Sequence, residues 1–133
     1  MPDRERHTLP RTHRLGGRLA FGAVFDAGVR AGKGPLLVYV RRNELKHPRL
    51  GLSVGRRVGT AARRNRIKRL LREAFRHLQH DFPAPYDFVV VVRPHAPLAL
   101  ADYQRLLTGL LVRAHQEWIR RFPPERVDPN DGA

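Results

Sequence analysis

The chain has 133 residues, which suits one domain of ordinary size and leaves too little for a second independent one. Its 26 Lys and Arg against 12 Asp and Glu give a formal charge of +14, which favours nucleic acid or an anionic membrane over a small neutral substrate. The absence of Cys excludes disulfides and thiolate metal sites. We see no signal peptide and no run of about 20 apolar residues, so we expect a cytoplasmic protein without membrane contact.

The two ends of the chain predict flexible tails. Residues 1–13 are polar and contain two prolines, and residues 123–133 are rich in Pro, Asp and Gly. Neither segment buries enough apolar surface to offset the loss of chain entropy on ordering. We therefore place one folded domain at residues 14–122.

The first predicted element is a short helix over residues 18–27. It has apolar side chains at one-turn spacing, and Gly28 is a suitable C-terminal stop. Phe21 and Phe25 are four residues apart and therefore share one face of this helix. The spacing fits ordinary core packing as well as a ligand-binding surface, and both interpretations stay open on the pattern alone.

Strands are predicted next, at residues 35–41 and 50–54, on either side of a polar loop at residues 43–48. Both strands are rich in aliphatic residues, and their closeness in the chain predicts that they pair as a hairpin.

A long helix then begins at Thr60, a suitable N-cap, and ends before Pro83. Residues 86–92 are a continuous apolar run, which predicts a strand covered on both faces. A second amphipathic helix follows over residues 100–121. The order of helix, two or three strands, helix, strand and helix predicts a single α+β domain.

Residues 56–76 hold much of the positive charge. They contain nine basic residues and a single acid, Glu73. Lys68 and Arg72, and likewise Arg72 and Arg76, place like charges four residues apart, which destabilises a helix by roughly 0.2 to 0.5 kcal/mol per pair. A solvated face that only confers solubility is one explanation of this pattern. Phosphates that relieve the repulsion are the other, and the repulsion favours them.

This basic segment resembles the signature of the ribonuclease P protein family. The resemblance rests on Arg64-Asn65-Arg66, followed on the same helix by Lys68-Arg69 and Arg72-Glu73, and preceded by the strand 51–54. It extends from about residue 13 to residue 115. It implies a two-layer α+β sandwich in which a small mixed sheet of about four strands packs with three helices. It also implies a left-handed strand-helix-strand crossover, which general chirality rules disfavour.

The resemblance assigns two RNA-binding surfaces. The helix with the Arg-Asn-Arg motif is expected to bind a catalytic RNA subunit through phosphate contacts, and Asn65 either bonds to RNA or shapes a hydrated-metal site. The residues at these positions are Arg56, Arg57, Arg63, Arg64, Asn65, Arg66, Lys68, Arg69 and Arg72. The second surface is expected to hold the single-stranded 5′ leader of precursor tRNA in a cleft between the first helix and the sheet. Its residues are Phe21, Phe25, Leu37 and Tyr39.

The implied function is that of a protein subunit in the ribonucleoprotein endonuclease that removes the 5′ leader from precursor tRNA. Catalysis is expected to reside in the RNA, with Mg²⁺ held mainly by the RNA and no metal site on the protein. The expected partners are the catalytic RNA and precursor tRNA, without a membrane or an obligatory protein partner.

Three other classes of protein stay open on composition. A ribosomal protein or RNA chaperone has a similar size and charge, and a DNA-binding protein has a similar charge. A metal-dependent nuclease is the enzymatic alternative, but His77, His80 and Asp81 are best interpreted as surface residues near a helix end, and no pair of acids suggests acid-base catalysis.

Overall fold

The computed structural model describes residues 9–82 and 84–124. The helices are α1 (Arg18–Ala27), α2 (Ala61–Leu78) and α3 (Leu100–Arg121), and the strands are β1 (Val29–Lys33), β2 (Leu36–Arg42), β3 (Arg49–Val54) and β4 (Tyr86–Val92). Short 3-10 turns lie at Arg11–His13 and Arg56–Val58. Of the helices in the described ranges, none combines the length and apolar character that crossing a membrane requires.

The four strands form one mixed sheet in the order β1-β2-β4-β3. Strand β2 is antiparallel to both β1 and β4, whereas β3 and β4 are parallel and are joined through α2. The predicted hairpin of β2 with β3 is therefore wrong, because β4 lies between them. Strand β4 is buried on both faces, as its continuous apolar run predicted, because Phe88 and Val90 belong to one hydrophobic cluster and Val89 to another. The left-handed sense of the β3-α2-β4 crossover stays a prediction.

The main core lies between one face of the sheet and helices α2 and α3. Residues at helical spacing on α2, such as Ile67 and Leu71, pack with Leu107 and Leu110 of α3 and with alternate sheet residues such as Val38. The predicted α+β architecture of a small mixed sheet with three helices is confirmed.

Helix α1 packs on the opposite face of the sheet and covers only part of it. Its buried residue Val24 packs with Leu15 and Val89 in a small second core. The helix ends where Gly28 adopts a left-handed conformation, with φ of 71°, in agreement with the predicted stop. An apolar area of the sheet beside α1 is therefore left accessible.

Leu9, which belongs to the predicted N-terminal tail, contacts the folded domain. Leu9 is buried in the main core, and the N–H of Leu15 donates a hydrogen bond of 2.8 Å to the carbonyl oxygen of Leu50. Leu9 is thus anchored on the domain, whereas Pro10, Arg11 and Thr12 after it are exposed. The remainder of the two predicted tails, residues 1–8 and 125–133, lies outside the described residues.

Candidate nucleic-acid interface

Three aromatic rings form a continuous row over the sheet face that α1 partly covers. Phe21 and Phe25 project from α1 with their ring centroids 6.5 Å apart, and Phe25 meets Tyr39 of β2 edge to face at 4.8 Å. Phe25 is 37% exposed, and Phe21 and Tyr39 are half-buried. We call these three residues together with Leu37 the aromatic surface. The structure thus brings the predicted leader-binding residues together on one side of the sheet.

Phe21 rests directly on the backbone of β3. A Cβ atom placed on Gly51 would lie 2.6 Å from the Phe21 ring, far inside van der Waals contact. Gly51 is therefore needed for the close approach of this ring to the sheet. The other side of Phe21 lines an open cavity of about 490 Å³, together with Phe25 and Gly22. Phe21 accordingly has both a packing contact and an accessible face.

Tyr39 and Leu37 continue the aromatic surface toward the sheet edge. The phenol oxygen of Tyr39 accepts a hydrogen bond of 3.3 Å from Nη1 of Arg30 on β1. Leu37 is half-buried and faces the same side as Tyr39, because the two residues are two positions apart on one strand. Arg30 therefore orients the Tyr39 hydroxyl, a role that the sequence analysis missed.

The start of α2 is fixed by the expected cap and by a glycine. The Thr60 side chain accepts a hydrogen bond of 3.2 Å from the backbone N–H of Arg63, as predicted for an N-cap. Gly59 has φ of 145°, and a Cβ there would lie 2.6 Å from Cδ of Arg63. The preceding 3-10 turn presents Arg56 and Arg57 to solvent. This local geometry sets the predicted cations at the start of the helix.

The predicted RNA-subunit residues lie on α2 and on the 3-10 turn before it, and we call them together the basic surface. Arg56, Arg57, Arg63, Asn65, Arg66 and Arg69 are exposed, while Arg64, Lys68 and Arg72 are half-buried. Within the described residues, none of their cations forms a salt bridge, although Arg49, Arg76, Arg105, Arg120 and Arg121 all do. The eight cations of this surface therefore keep their full charge, which suits a polyanion.

Residues of the Arg-Asn-Arg motif point in different directions around α2. Asn65 is exposed, whereas Nε of Arg64 is buried and makes no hydrogen bond within the described residues. Burial raises the pKa of the Tyr103 phenol on α3, and the positive charge of the nearby Arg66 acts to lower it. The motif therefore places Arg66 near α3, Asn65 in solvent and Nε of Arg64 inside the protein.

Lys68 and Arg72 lie on another side of α2, next to the aromatic surface. Together with Arg14 and Phe21 they line a cavity of about 230 Å³, which we call the junction cavity. Burial lowers the pKa of Arg72, and the positive charge of Arg14 lowers it further. This crowding of cations creates a favourable position for a phosphate group. The two predicted surfaces thus meet at one place.

Arg14 is a functional candidate that the sequence analysis did not select. Its Nε donates a hydrogen bond of 3.0 Å to the carbonyl oxygen of Leu9, and its backbone forms an isolated parallel bridge with Leu50. The residue reaches the junction cavity because the N-terminal segment runs along the edge of β3. No local pattern around Arg14 indicates this placement.

Helix α2 becomes less cationic toward its C-terminus. Arg76 makes a salt bridge to Glu73 at 2.6 Å, and this hydrogen bonding lowers the pKa of Glu73. The repulsion predicted between Arg72 and Arg76 is therefore partly relieved within the chain. His77 also contacts Glu73, at 3.0 Å. Among the residues that the structure describes, no three His, Asp or Glu side chains are grouped to hold a metal ion.

Solved structures with the same arrangement define the class of protein. The RNase P protein from Thermotoga maritima matches with a TM-score of 0.69 and 32% sequence identity, over 75% of this chain and 96% of that one. The RNase P protein from Staphylococcus aureus matches with a TM-score of 0.67 and 29% identity, over 75% and 93% of the two chains. The domain is thus a small basic α+β protein with the fold of RNase P proteins.

Sequence comparison identifies the family. The family model described as Ribonuclease P matches residues 9–115. The ribonuclease P protein component of Serratia proteamaculans is 42% identical over 117 residues, which are 86% of this chain and 94% of that protein. The chain belongs to the ribonuclease P protein family, and the resemblance drawn from the Arg-Asn-Arg segment is confirmed.

Proposed function

We propose that this protein binds the catalytic RNA of ribonuclease P through the basic surface and the 5′ leader of precursor tRNA through the aromatic surface. The observation that carries the proposal is the junction cavity, where Lys68 and Arg72 of one surface lie beside Phe21 of the other. A substrate strand that leaves the catalytic RNA at this cavity enters the aromatic surface directly.

Each surface suits its proposed ligand. Guanidinium groups bind phosphate oxygens with paired hydrogen bonds, and the unneutralised Arg side chains of the basic surface offer several such contacts. Stacking on an aromatic ring contributes about 1 to 3 kcal/mol per base and tolerates any base, which suits leaders of variable sequence. The protein thereby holds the substrate in register and reduces repulsion between the two RNAs.

The chemical step belongs to the RNA in this proposal. Mg²⁺ is held mainly by the RNA subunit and promotes hydrolysis of the phosphodiester at the mature 5′ end. The protein contributes affinity for substrate and for the metal-loaded RNA, and it cuts nothing alone. This activity takes place in the cytoplasm.

Two single variants, each without one exposed Arg on a different helix, test the RNA-binding part of the proposal. Arg69 belongs to the basic surface, whereas Arg105 is exposed on α3 and pairs with Asp102. Binding of each variant to bacterial ribonuclease P RNA is measured over a range of salt concentrations, with ribosomal RNA and duplex DNA as competitors. Arg69→Ala is expected to weaken binding and to reduce the salt dependence by about one phosphate contact, while Arg105→Ala leaves both unchanged.

The competitors separate this function from its alternatives. Preferred binding to ribosomal RNA supports a ribosomal or chaperone role, and preferred binding to duplex DNA supports a DNA-binding role. Equal effects of the two substitutions refute the placement of the RNA subunit on α2.

A further inference from the structure

A separate row of aromatic rings lies at the C-terminal end of α3. The rings of Trp118 and Phe122 are tilted by 33° with their centroids 4.4 Å apart, and Trp118 meets Tyr86 of β4 nearly at a right angle at 5.8 Å. Tyr86 is fully buried, Trp118 is half-buried and Phe122 is 48% exposed. We call these three rings the ring row. It runs from the core to the surface, and its outermost ring has an accessible face.

The rings of this row are held in place before any ligand binds. The backbone N–H of Phe122 donates a hydrogen bond of 2.7 Å to the carbonyl oxygen of Trp118, which closes the last turn of α3. At the inner end of the row, the Tyr86 hydroxyl and Nδ1 of His115 are hydrogen-bonded at 2.6 Å. Rings that are already ordered lose little further conformational entropy when a ligand stacks on them.

Arg42, at the end of β2, adds a free cation beside the ring row. Its guanidinium carbon lies 6.0 Å from the centroid of the Tyr86 ring, and the residue is exposed. Within the described residues, Arg42 forms no salt bridge. The acid in this part of α3, Glu117, is already paired with Arg120 and Arg121. The charge of Arg42 is therefore available to an external anion such as a phosphate group.

Strand alternation places Arg42 and the aromatic surface on opposite faces of the sheet. Arg42 is two positions from Val40, which belongs to the main core beneath α2 and α3, so both residues project to that face. Tyr39 lies on the other face, against the small second core beside α1. A leader strand on the aromatic surface therefore lies on the other side of the sheet from Arg42.

The ring row is also distant from the Arg-Asn-Arg motif. Arg66 of this motif lies near Tyr103, close to the N-terminal end of α3, whereas Trp118 is close to the C-terminal end. At about 1.5 Å per residue, Tyr103 and Trp118 are separated by about 22 Å along the helix axis. The ring row therefore forms a surface of its own, apart from the motif and from the aromatic surface.

We propose that Phe122, Trp118 and Arg42 form a third RNA site, which binds an unpaired base and a neighbouring phosphate of a separate single-stranded RNA. Aromatic rings beside a guanidinium are the combination that binds single strands of any sequence, because every base has a face that stacks and every nucleotide has a phosphate. A purely apolar partner would cover Arg42 without offering it a counter-charge. The formal charge of +14 also favours a polyanion at this site. The inference does not depend on the leader-binding function proposed above.

The fluorescence of Trp118 gives a direct test, because this residue is the sole tryptophan of the chain and contacts Phe122. The full-length protein is titrated with single-stranded oligoadenylate of about six nucleotides, a length in the range that single-strand sites cover. An abasic oligomer of the same length and a duplex RNA are the control ligands. Oligoadenylate is expected to quench the fluorescence, and the controls are not, because neither offers an unpaired base. No quenching by oligoadenylate, or equal quenching by the abasic oligomer, refutes the site.

Variants assign the quenching to the proposed residues. Phe122→Ala is expected to weaken oligoadenylate binding about fivefold or more. Arg42→Gln is expected to weaken it about two- to fivefold and to lower the salt slope by about 0.7, whereas Arg42→Lys keeps most of the affinity. Arg105→Ala, which removes another exposed cation, is the matched control and is expected to bind as the wild type does. Wild-type affinity in both Phe122→Ala and Arg42→Gln refutes the site, and Arg42→Gln alters no buried group should Phe122→Ala fold poorly.

Two further titrations separate the third site from the other two surfaces. Oligoadenylate is expected to quench Trp118 in Phe25→Ala, and also in the complex of the wild-type protein with ribonuclease P RNA. Loss of the quenching in Phe25→Ala assigns the strand to the aromatic surface, and its loss in the complex shows that the RNA subunit covers the ring row. Either loss overturns the third site and leaves the proposed leader binding and RNA-subunit binding standing.

Discussion

Replacing Phe25 by Ala separates a ligand-binding ring from a core residue on the same helix. Phe25 is 37% exposed and touches Tyr39, whereas Val24 beside it is 1% exposed and packs against Val89. If Phe25 stacks on a leader base, its loss costs about 1 to 3 kcal/mol of binding, which is about 5- to 150-fold in affinity for precursor tRNA. Mature tRNA has no leader and is expected to bind unchanged.

The two variants are expected to lose similar amounts of folding stability. Because about two thirds of Phe25 is buried, Phe25→Ala is expected to lower the free energy of unfolding by about 1 to 2 kcal/mol. Val24→Ala removes fully buried methyl groups and is expected to cost about 2 kcal/mol. A difference between the two variants in binding precursor tRNA therefore reports the leader contact proposed for Phe25 and not a loss of folding.

The assay is equilibrium binding of precursor and mature tRNA to the reconstituted complex, with urea unfolding of each protein variant alongside. Phe25→Ala is expected to reduce the ratio of the two affinities at least fivefold, and Val24→Ala to leave that ratio at the wild-type value. An unchanged ratio for Phe25→Ala, or an equal loss for Val24→Ala, contradicts the reasoning and returns Phe25 to a purely structural role.

Three further predictions follow from other parts of the structure. Gly51→Ala places a methyl group 2.6 Å from the ring of Phe21 and is expected to displace that ring. The affinity for precursor tRNA is then expected to fall while mature tRNA binds normally, and an unaltered ratio of the two affinities refutes the close contact. Arg66→Ala is expected to weaken binding to the RNA subunit and to lower the salt slope by about one, and an unchanged slope removes Arg66 from the interface. Burial is the main cause that lowers the pKa of His13 and His115, so the unfolded chain binds more protons than the folded protein. The free energy of unfolding is therefore expected to fall as the pH drops below about 6.5. Replacing both histidines by Gln is expected to flatten this pH dependence in urea titrations, and an equally steep dependence in that variant contradicts the prediction.

The features that local sequence determines were predicted well. The apolar spacing and Gly28 gave the bounds of α1, and Thr60 is the N-cap that starts α2. The continuous apolar run of β4 also indicated a strand that is covered on both faces. In each case the signal lies within a few neighbouring residues, where propensity, capping and periodicity act together.

The features that depend on distant parts of the chain were not predictable in this way. Strand β1 was not identified, because Arg30, Gly32 and Lys33 weaken its strand pattern. The false hairpin of β2 and β3 arose because the insertion of β4 between them follows a crossover through α2. Arg14 reaches the junction cavity only through the path of the N-terminal segment along β3.

The basic surface and the aromatic surface show the same difference between what local sequence predicts and what depends on tertiary packing. The sequence analysis selected Lys68, Arg72 and Phe21 as separate candidates from the motif and the resemblance. Their meeting in one cavity depends on how α1 and α2 pack around the edge of β3, which is tertiary information. The cavity therefore joins the two groups of residues into the one continuous path that we propose for RNA.

Cleavage of 5′-labelled precursor tRNA at low Mg²⁺ tests the central claim most directly. The reaction is run with the protein alone, with bacterial ribonuclease P RNA alone, and with both together. We predict cleavage at the mature 5′ end only in the combined reaction. Cleavage by the protein alone, or no stimulation of the RNA by folded protein, contradicts the proposed role.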